Sequence, residues 1–154
     1  MAVALAARKV GEFAQTEYPV VAPSVSVRDA IVAMRAMHSA CVLVVSEQRL
    51  MGIFTERDFL NRVIGEGNLP GRTTVSDVMT VDPEVLQANE FIGQAIHRMG
   101  RGGFRNMPIV DESGRPVGVL SVRDVVEHLS DLFVTEEEAS SQFAGAWLDL
   151  GEDT

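Results

Sequence analysis

Thr55, Arg57 and Asp58 stand within four consecutive positions, and Ser121, Arg123 and Asp124 repeat the arrangement 66 residues later. A hydroxyl residue followed three positions on by a carboxylate opens a helix. Each side chain accepts a hydrogen bond from a backbone amide that the first turn leaves free, and the cap alone contributes about 0.5–2 kcal/mol. Capping accounts for the hydroxyls and the acids. It does not account for Arg57 and Arg123, because a cation in the first turn opposes the helix dipole by about 0.3–1 kcal/mol. Free amides and a guanidinium at one helix start suit an anion, a phosphate above all. The competing use of the arginines is an ion pair with a neighbouring acid. Glu56 offers one in the first copy, whereas Val122 occupies that place in the second.

The elements that position these groups also come in duplicate. The triads close the heptads GIFTERD, from Gly52, and GVLSVRD, from Gly118. Sliding the chain by 65 positions lays Val10 on Val75, Val20 on Val85, Ala30 on Ala95, Met34 on Met99 and Val45 on Val110; one extra residue in the second turn, at Ser113 and Gly114, makes the shift 66 from Arg49 onward. Two repeats follow, residues 9–65 and 74–132, joined by a Gly- and Pro-bearing linker at 66–73. An N-terminal extension at 1–8 and an acidic tail at 133–154 flank them.

Each repeat reads as strand, helix, strand, strand, helix. In the first, a short strand at 18–22 ends at Pro23, and Ser24 or Ser26 caps a helical series of Val27, Ala30, Ile31, Met34 and Met37. Apolar runs at 42–45 and 50–54 make a hairpin, and a second helix turns Phe59, Leu60, Val63 and Ile64 inward before stopping near Gly65. The second repeat has its strand at 84–86 and a helix with Ile92, Ala95, Ile96 and Met99. A hairpin at 107–120 follows, then a helix through Val125, Val126, Leu129 and Leu132. Such a unit covers one face of its sheet with helices and leaves the other apolar, so two units can cover each other.

At 154 residues the two repeats share one body rather than two independent cores. A net charge of -9 argues against nucleic acid as a partner. Six of the acids lie in residues 135–154, which hold no Lys or Arg, leaving 13 basic against 16 acidic residues elsewhere. The tail, with Thr135 ahead of three glutamates and Ala139, Phe143, Ala146, Trp147 and Leu150 on one face, predicts a short amphipathic helix. A single cysteine excludes an intrachain disulfide, and no run approaches the roughly 20 apolar residues of a membrane span. The N-terminal apolar run precedes its charges, the reverse of a signal peptide, so a cytoplasmic protein is expected.

The ordered set in duplicate, with strands such as MPIVD from Met107, the turn ESGR from Glu112 and the two heptads, resembles tandem cystathionine beta-synthase (CBS) domains over residues 9–132. The resemblance implies an α/β fold in which two β-α-β-β-α repeats pack through their sheets into one pseudo-twofold disc. It implies a regulatory module, not an enzyme, whose two clefts bind adenosine derivatives such as AMP, ADP, ATP or S-adenosylmethionine. In that family the aspartate holds the ribose hydroxyls, and the Ser or Thr three positions earlier contacts ribose or phosphate. Each cleft borrows its base pocket from the opposite repeat. Thr55, Arg57 and Asp58 would face Val85, Leu86, Arg105, Asn106, Met107 and Pro108, while Ser121, Arg123 and Asp124 would face Val20, Val21, His38, Cys41 and Val42. A homodimer and a regulated partner protein are also implied.

Arg105, with Arg101 nearby, adds positive charge to the Asp58 cleft, whereas His38 is the only comparable group at the other, so a polyphosphate is expected to prefer the Asp58 side. The first repeat departs from the second in having Leu43 at the place of Pro108 and no glycine in its hairpin turn. Gly100, Gly102 and Gly103 lack the Lys and hydroxyl of a phosphate loop and read as helix termination. The three histidines show no metal-ligand spacing, and Cys41, at the entry to an apolar strand, reads as a buried residue. No nucleophile, base and acid form a catalytic set. The alternative to a ligand sensor is a nucleotide-independent interaction scaffold that uses the tail helix.

Overall fold

The computed structural model describes residues 2–135. The first repeat contains β1 (Val20–Val21), α2 (Val27–Ala36), β2 (Cys41–Ser46) and β3 (Arg49–Thr55), after a short N-terminal α1 (Ala2–Ala6). It closes on α3 (Glu56–Asp58), which runs on as a π-helix over Phe59–Ile64. α4 (Val75–Val78) and β4 (Thr80–Val81) lead into the second repeat, which holds α5 (Ile92–Gly102), β5 (Asn106–Val110), β6 (Pro116–Ser121) and α6 (Val122–Thr135). The tail helix expected over residues 139–150 lies outside the described residues.

Local chemistry explains the boundaries. Ser26 caps α2 by accepting from the Asp29 amide at 3.1 Å. α5 ends at Gly103, left-handed at φ 71°, with the Phe104 amide returning to the Met99 carbonyl, so Gly103 terminates the helix, whereas Gly100 and Gly102 lie within its last turn. His38 holds the equivalent place after α2 at φ 51°, and the Ser39 amide returns to Met34. The first hairpin turns at Glu47 and Gln48, both at positive φ, the geometry that a two-residue hairpin loop requires. The second turns around Asp111, whose carboxylate accepts from the Ser113 amide and hydroxyl and from the Arg115 amide. Those bonds hold the Asp111 carboxyl below the usual carboxylate range.

β1 runs parallel to β2, and β2, β3 and β4 follow in antiparallel order; β5 and β6 form an antiparallel pair. The strand expected at residues 84–86 is a single parallel bridge, Leu86 to Ile109, because one amide–carbonyl exchange on each side is all that segment makes. The helix after β3 is π-coiled, where its counterpart α6 is α-helical.

The hydrophobic cores show what the repeat pattern conceals. Val10 and Phe13, at the start of the first repeat, are buried with Leu86, Ile92, Met107, Leu120 and Val125 of the second. Val75, Val78 and Met79, at the start of the second, are buried with Val27, Met34, Val42, Phe54 and Val63 of the first. The repeats therefore exchange their leading segments. β4 joins the first sheet through Thr80 and Ile53, and its counterpart Gln15 bridges Val119 of the second.

The two heptad glycines admit these crossings. A Cβ on Gly52 would lie 2.7 Å from the Thr80 carbonyl oxygen, and one on Gly118 would lie 3.0 Å from that of Gln15. A third core of Cys41, Leu43, Ile53 and Val119 joins the faces left bare by the helices. Packing through the sheets thus follows the expected architecture.

Candidate functional site

Thr55 and Asp58 form a closed capping box. The Thr55 amide and Oγ1 donate to Asp58 Oδ2 at 3.0 and 3.2 Å, and the Asp58 amide donates to Thr55 Oγ1 at 3.2 Å. Ser121 and Asp124 make the same set, at 3.1, 2.7 and 3.0 Å. Each helix start is also stitched to the head of its own hairpin: the Glu56 amide donates to the Ala40 carbonyl and the Val122 amide to that of Arg105. The hydroxyl and the acid are thereby fixed at the sheet edge, beside Cys41 in one repeat and Asn106 in the other.

The exchanged segments complete both turns. The Thr80 hydroxyl donates to Asp58 Oδ1 at 3.2 Å, and at the twofold-equivalent place Gln15 Nε2 donates to Asp124 Oδ1 at 2.7 Å. Arg62 adds a cation 3.8 Å from Asp58 while its guanidinium donates to the Val78 and Met79 carbonyls. His128 stands at the equivalent position near Asp124, but it packs on Phe13, with ring centroids 4.4 Å apart, and shares a 3.0 Å hydrogen bond with Arg8. Asp58 is 7% exposed, whereas Asp124 is only partly buried.

Gln15, Thr80, Arg62 and His128 were not singled out from the sequence as site residues. The signal for the first two is positional. Each is the polar residue that follows the apolar stretch opening a repeat, and the 65-residue shift lays one on the other.

The arginines diverge. Arg57 Nη1 donates to the Gly103 carbonyl at 3.3 Å, so the Asp58 turn reaches the loop of the opposite repeat that carries Arg101 and Arg105. Arg123 lacks a partner at Val122 but finds Glu127 one turn later, at 3.0 Å. The second arginine is therefore occupied by a local ion pair, the competing use that the sequence left open.

The expected base-pocket residues fall into distinct classes. Leu86, Met107 and Val42 are wholly enclosed in the helix-side cores, because alternation along a strand sends every second side chain to that face. They offer a cleft only their backbone. Cys41 lies on the opposite face, in the core between the sheets, and Pro108 is likewise buried. Burial pushes the Cys41 thiol up to about 11, the Ser39 hydrogen bond offsets part of that, and the nearby Asp124 carboxylate adds to it. Asp124 therefore stands within electrostatic reach of Cys41. Val20, His38 and Arg105 are exposed, and Val21, Val85 and Asn106 are partly buried.

A groove of about 630 Å³ opens at the Asp124 turn, lined by Ala14, Gln15, Thr16, Glu17, Ala36 and Met37. Gln15 connects it to the Asp124 carboxylate. At the Asp58 turn a smaller hollow of about 170 Å³ lies among Ile31, Met34, Arg35, Ser39, Glu56 and Phe59.

The CBS domain model matches residues 10–65 and 75–131, the same two stretches that the fold pairs. The chain belongs to the CBS domain family. A CBS domain-containing protein of Arabidopsis thaliana, CBSCBSPB1, is 37% identical over 102 residues, which is 66% of this chain and 19% of that protein. This CBS pair thus spans about a fifth of that relative. The crystal structure of the CBS-domain containing protein ATU1752 from Agrobacterium tumefaciens is 31% identical, with a TM-score of 0.70 over 78% of this chain and 97% of that one. The CBS domain pair of protein MJ0100, solved in complex with 5′-methylthioadenosine and S-adenosyl-L-methionine, shares the fold at a TM-score of 0.72 and 18% identity, covering 79% of this chain and 99% of that one. Among the described residues no helix is long and apolar enough to cross a membrane.

Proposed function

We propose that the chain is a regulatory module that binds an adenosine derivative (AMP, ADP, ATP or S-adenosylmethionine) and acts on a partner protein through ligand-dependent conformation or dimer geometry. The observation that carries this reading is the pairing of each hydroxyl–carboxylate turn with a segment of the opposite repeat. Arg57 reaches Gly103, Thr80 donates to Asp58, and Gln15 donates to Asp124. A ligand held by either turn contacts both repeats, so it favours one relative arrangement of them. It shifts that equilibrium by the difference in its affinity for the two arrangements. The MJ0100 pair, with adenosine compounds bound on the same fold, supports the ligand class.

Leu60 and Ile64, expected to turn inward, are instead exposed, and with Val32 and Val126 on the helical layers they suit a homodimer formed through those faces.

Thermal denaturation with AMP, ADP, ATP, S-adenosylmethionine and NAD tests the reading. A ligand at 100 times its dissociation constant stabilises by about 2.7 kcal/mol, an upward shift of several degrees for a domain of this size. No shift with any of the five would reject ligand sensing in favour of an interaction scaffold.

A further inference from the structure

The pseudo-twofold axis allows the two clefts to be compared position by position, and nearly every cation on one side is missing on the other. Arg57 and Arg62 flank Asp58 on its helix, Arg62 pairing with it, and Arg57 reaches the loop that carries Arg101 and Arg105. The 65- and 66-residue shifts place Arg123, His128, Ala36 and Ala40 at the corresponding positions of the other half. Of these, Arg123 is neutralised by Glu127 and His128 is turned to Arg8 and Phe13. The acids are not reduced in step. Glu17 lines the groove beside Asp124, matching Asp82 on the other side, and Glu127, which pairs with Arg123, is balanced by Glu56 beside the first turn. The guanidinium of Arg57, by contrast, lies against the Gly103 carbonyl, two residues from both Arg101 and Arg105. One cleft is therefore richer in cations, and the other, with a similar number of carboxylates and fewer arginines to offset them, stands beside an open groove.

We infer that the two clefts sort adenosine ligands by the charge of the 5′ substituent. The Asp58 cleft takes phosphorylated adenosines. The Asp124 groove takes adenosines whose 5′ substituent is uncharged or cationic, a thioether or a sulfonium, and rejects polyphosphates. This rests on the adenosine-binding reading above and adds the ligand class of each cleft. Adenine and ribose are common to both classes and are met by the shared turn. The 5′ group is where the ligands differ, and the residues that break the twofold symmetry are charged ones. A polyphosphate brought against Glu17 and Asp124 meets like charge without the counterparts of Arg62, Arg101 and Arg105 to offset it, which at contact distance near a protein surface reduces affinity by about tenfold or more.

Calorimetric titration of the full chain with ATP, S-adenosylmethionine and 5′-methylthioadenosine tests the sorting, with folding of each variant checked by circular dichroism. Asp58→Ala is expected to abolish ATP binding and spare the other two, and Asp124→Ala to do the reverse. Because Asp58 is buried, a second route uses the exposed pair Arg101→Ala/Arg105→Ala, expected to weaken ATP by about tenfold or more and leave S-adenosylmethionine unchanged. In the Asp58→Ala background, adding Ala36→Arg/Glu17→Gln is expected to create ATP binding at the Asp124 groove and to weaken S-adenosylmethionine. If ATP and S-adenosylmethionine bind but compete for one cleft, or if the charge variants leave their ratio unchanged, the sorting is overturned while adenosine binding stands. If none of the three binds to the unaltered chain, the adenosine reading itself falls and the sorting with it.

Discussion

At the Asp58 turn the carboxylate is 7% exposed and is held by Thr55, Thr80 and Arg62, whereas at the Asp124 turn it is partly open and is held by Ser121 and Gln15 beside a groove. The backbone is the same in both: a capping box, an amide tied to the hairpin and an exchanged segment crossing a glycine. What differs is the set of side chains around it. Duplication thus preserved the frame that presents a hydroxyl and an acid, and divergence acted on burial and charge. A symmetric scaffold in this chain does not imply equivalent sites.

The largest difference between the halves is expected at the crossings. Gly52→Ala should cost about 3 kcal/mol, since the added methyl meets both Met79 and the Thr80 carbonyl at under 3 Å. Gly118→Ala should cost about 1 kcal/mol, because its nearest obstacle is the Gln15 carbonyl at 3.0 Å. Urea denaturation of the two variants decides this, and equal costs would mean that the crossings are equally tight. A smaller contrast is expected at the carboxylates without ligand. Asp58→Ala leaves the Thr55 amide and the Thr80 hydroxyl without their acceptor in a buried place, a loss of about 2 kcal/mol, against about 1 kcal/mol for the more exposed Asp124→Ala. The same denaturation assay would break the comparison if Asp124→Ala proved the more damaging. The smallest effects belong to the arginines. Both Arg57 and Arg123 are exposed, so Arg57→Ala and Arg123→Ala should each stay within about 0.5 kcal/mol of the parent in melting experiments. A larger loss at Arg57 would show that its reach to Gly103 holds the repeats together.

Much of the fold was legible in short-range pattern. Val27, Ala30 and Met34, and likewise Ile92, Ala95 and Met99, recur at helical spacing and are buried. The hydroxyl–carboxylate pairs announced the helix starts that Thr55 and Ser121 now cap. The arginines were harder to read, because a side chain that long chooses its partner in three dimensions. Val122 removes the neighbour that Glu56 offers Arg57, and Glu127 supplies Arg123 with a partner from the next turn. Two of the residues that bond to the carboxylates, Gln15 and Thr80, lie 109 and 22 positions from them, beyond any local rule.

The sequence by itself determined the duplication, the order of elements in each copy and the places where a hydroxyl and an acid open a helix. These follow from periodicity and capping, which act over a few residues. Only the tertiary structure decided which core each leading segment enters. Val10 with Phe13, and Val75 with Val78, present the same apolar spacing, so each pair suits either core, and the path of the chain assigns them. That exchange brings Gln15 to Asp124 and Thr80 to Asp58, and with them the unequal surroundings of two turns that are nearly identical in sequence.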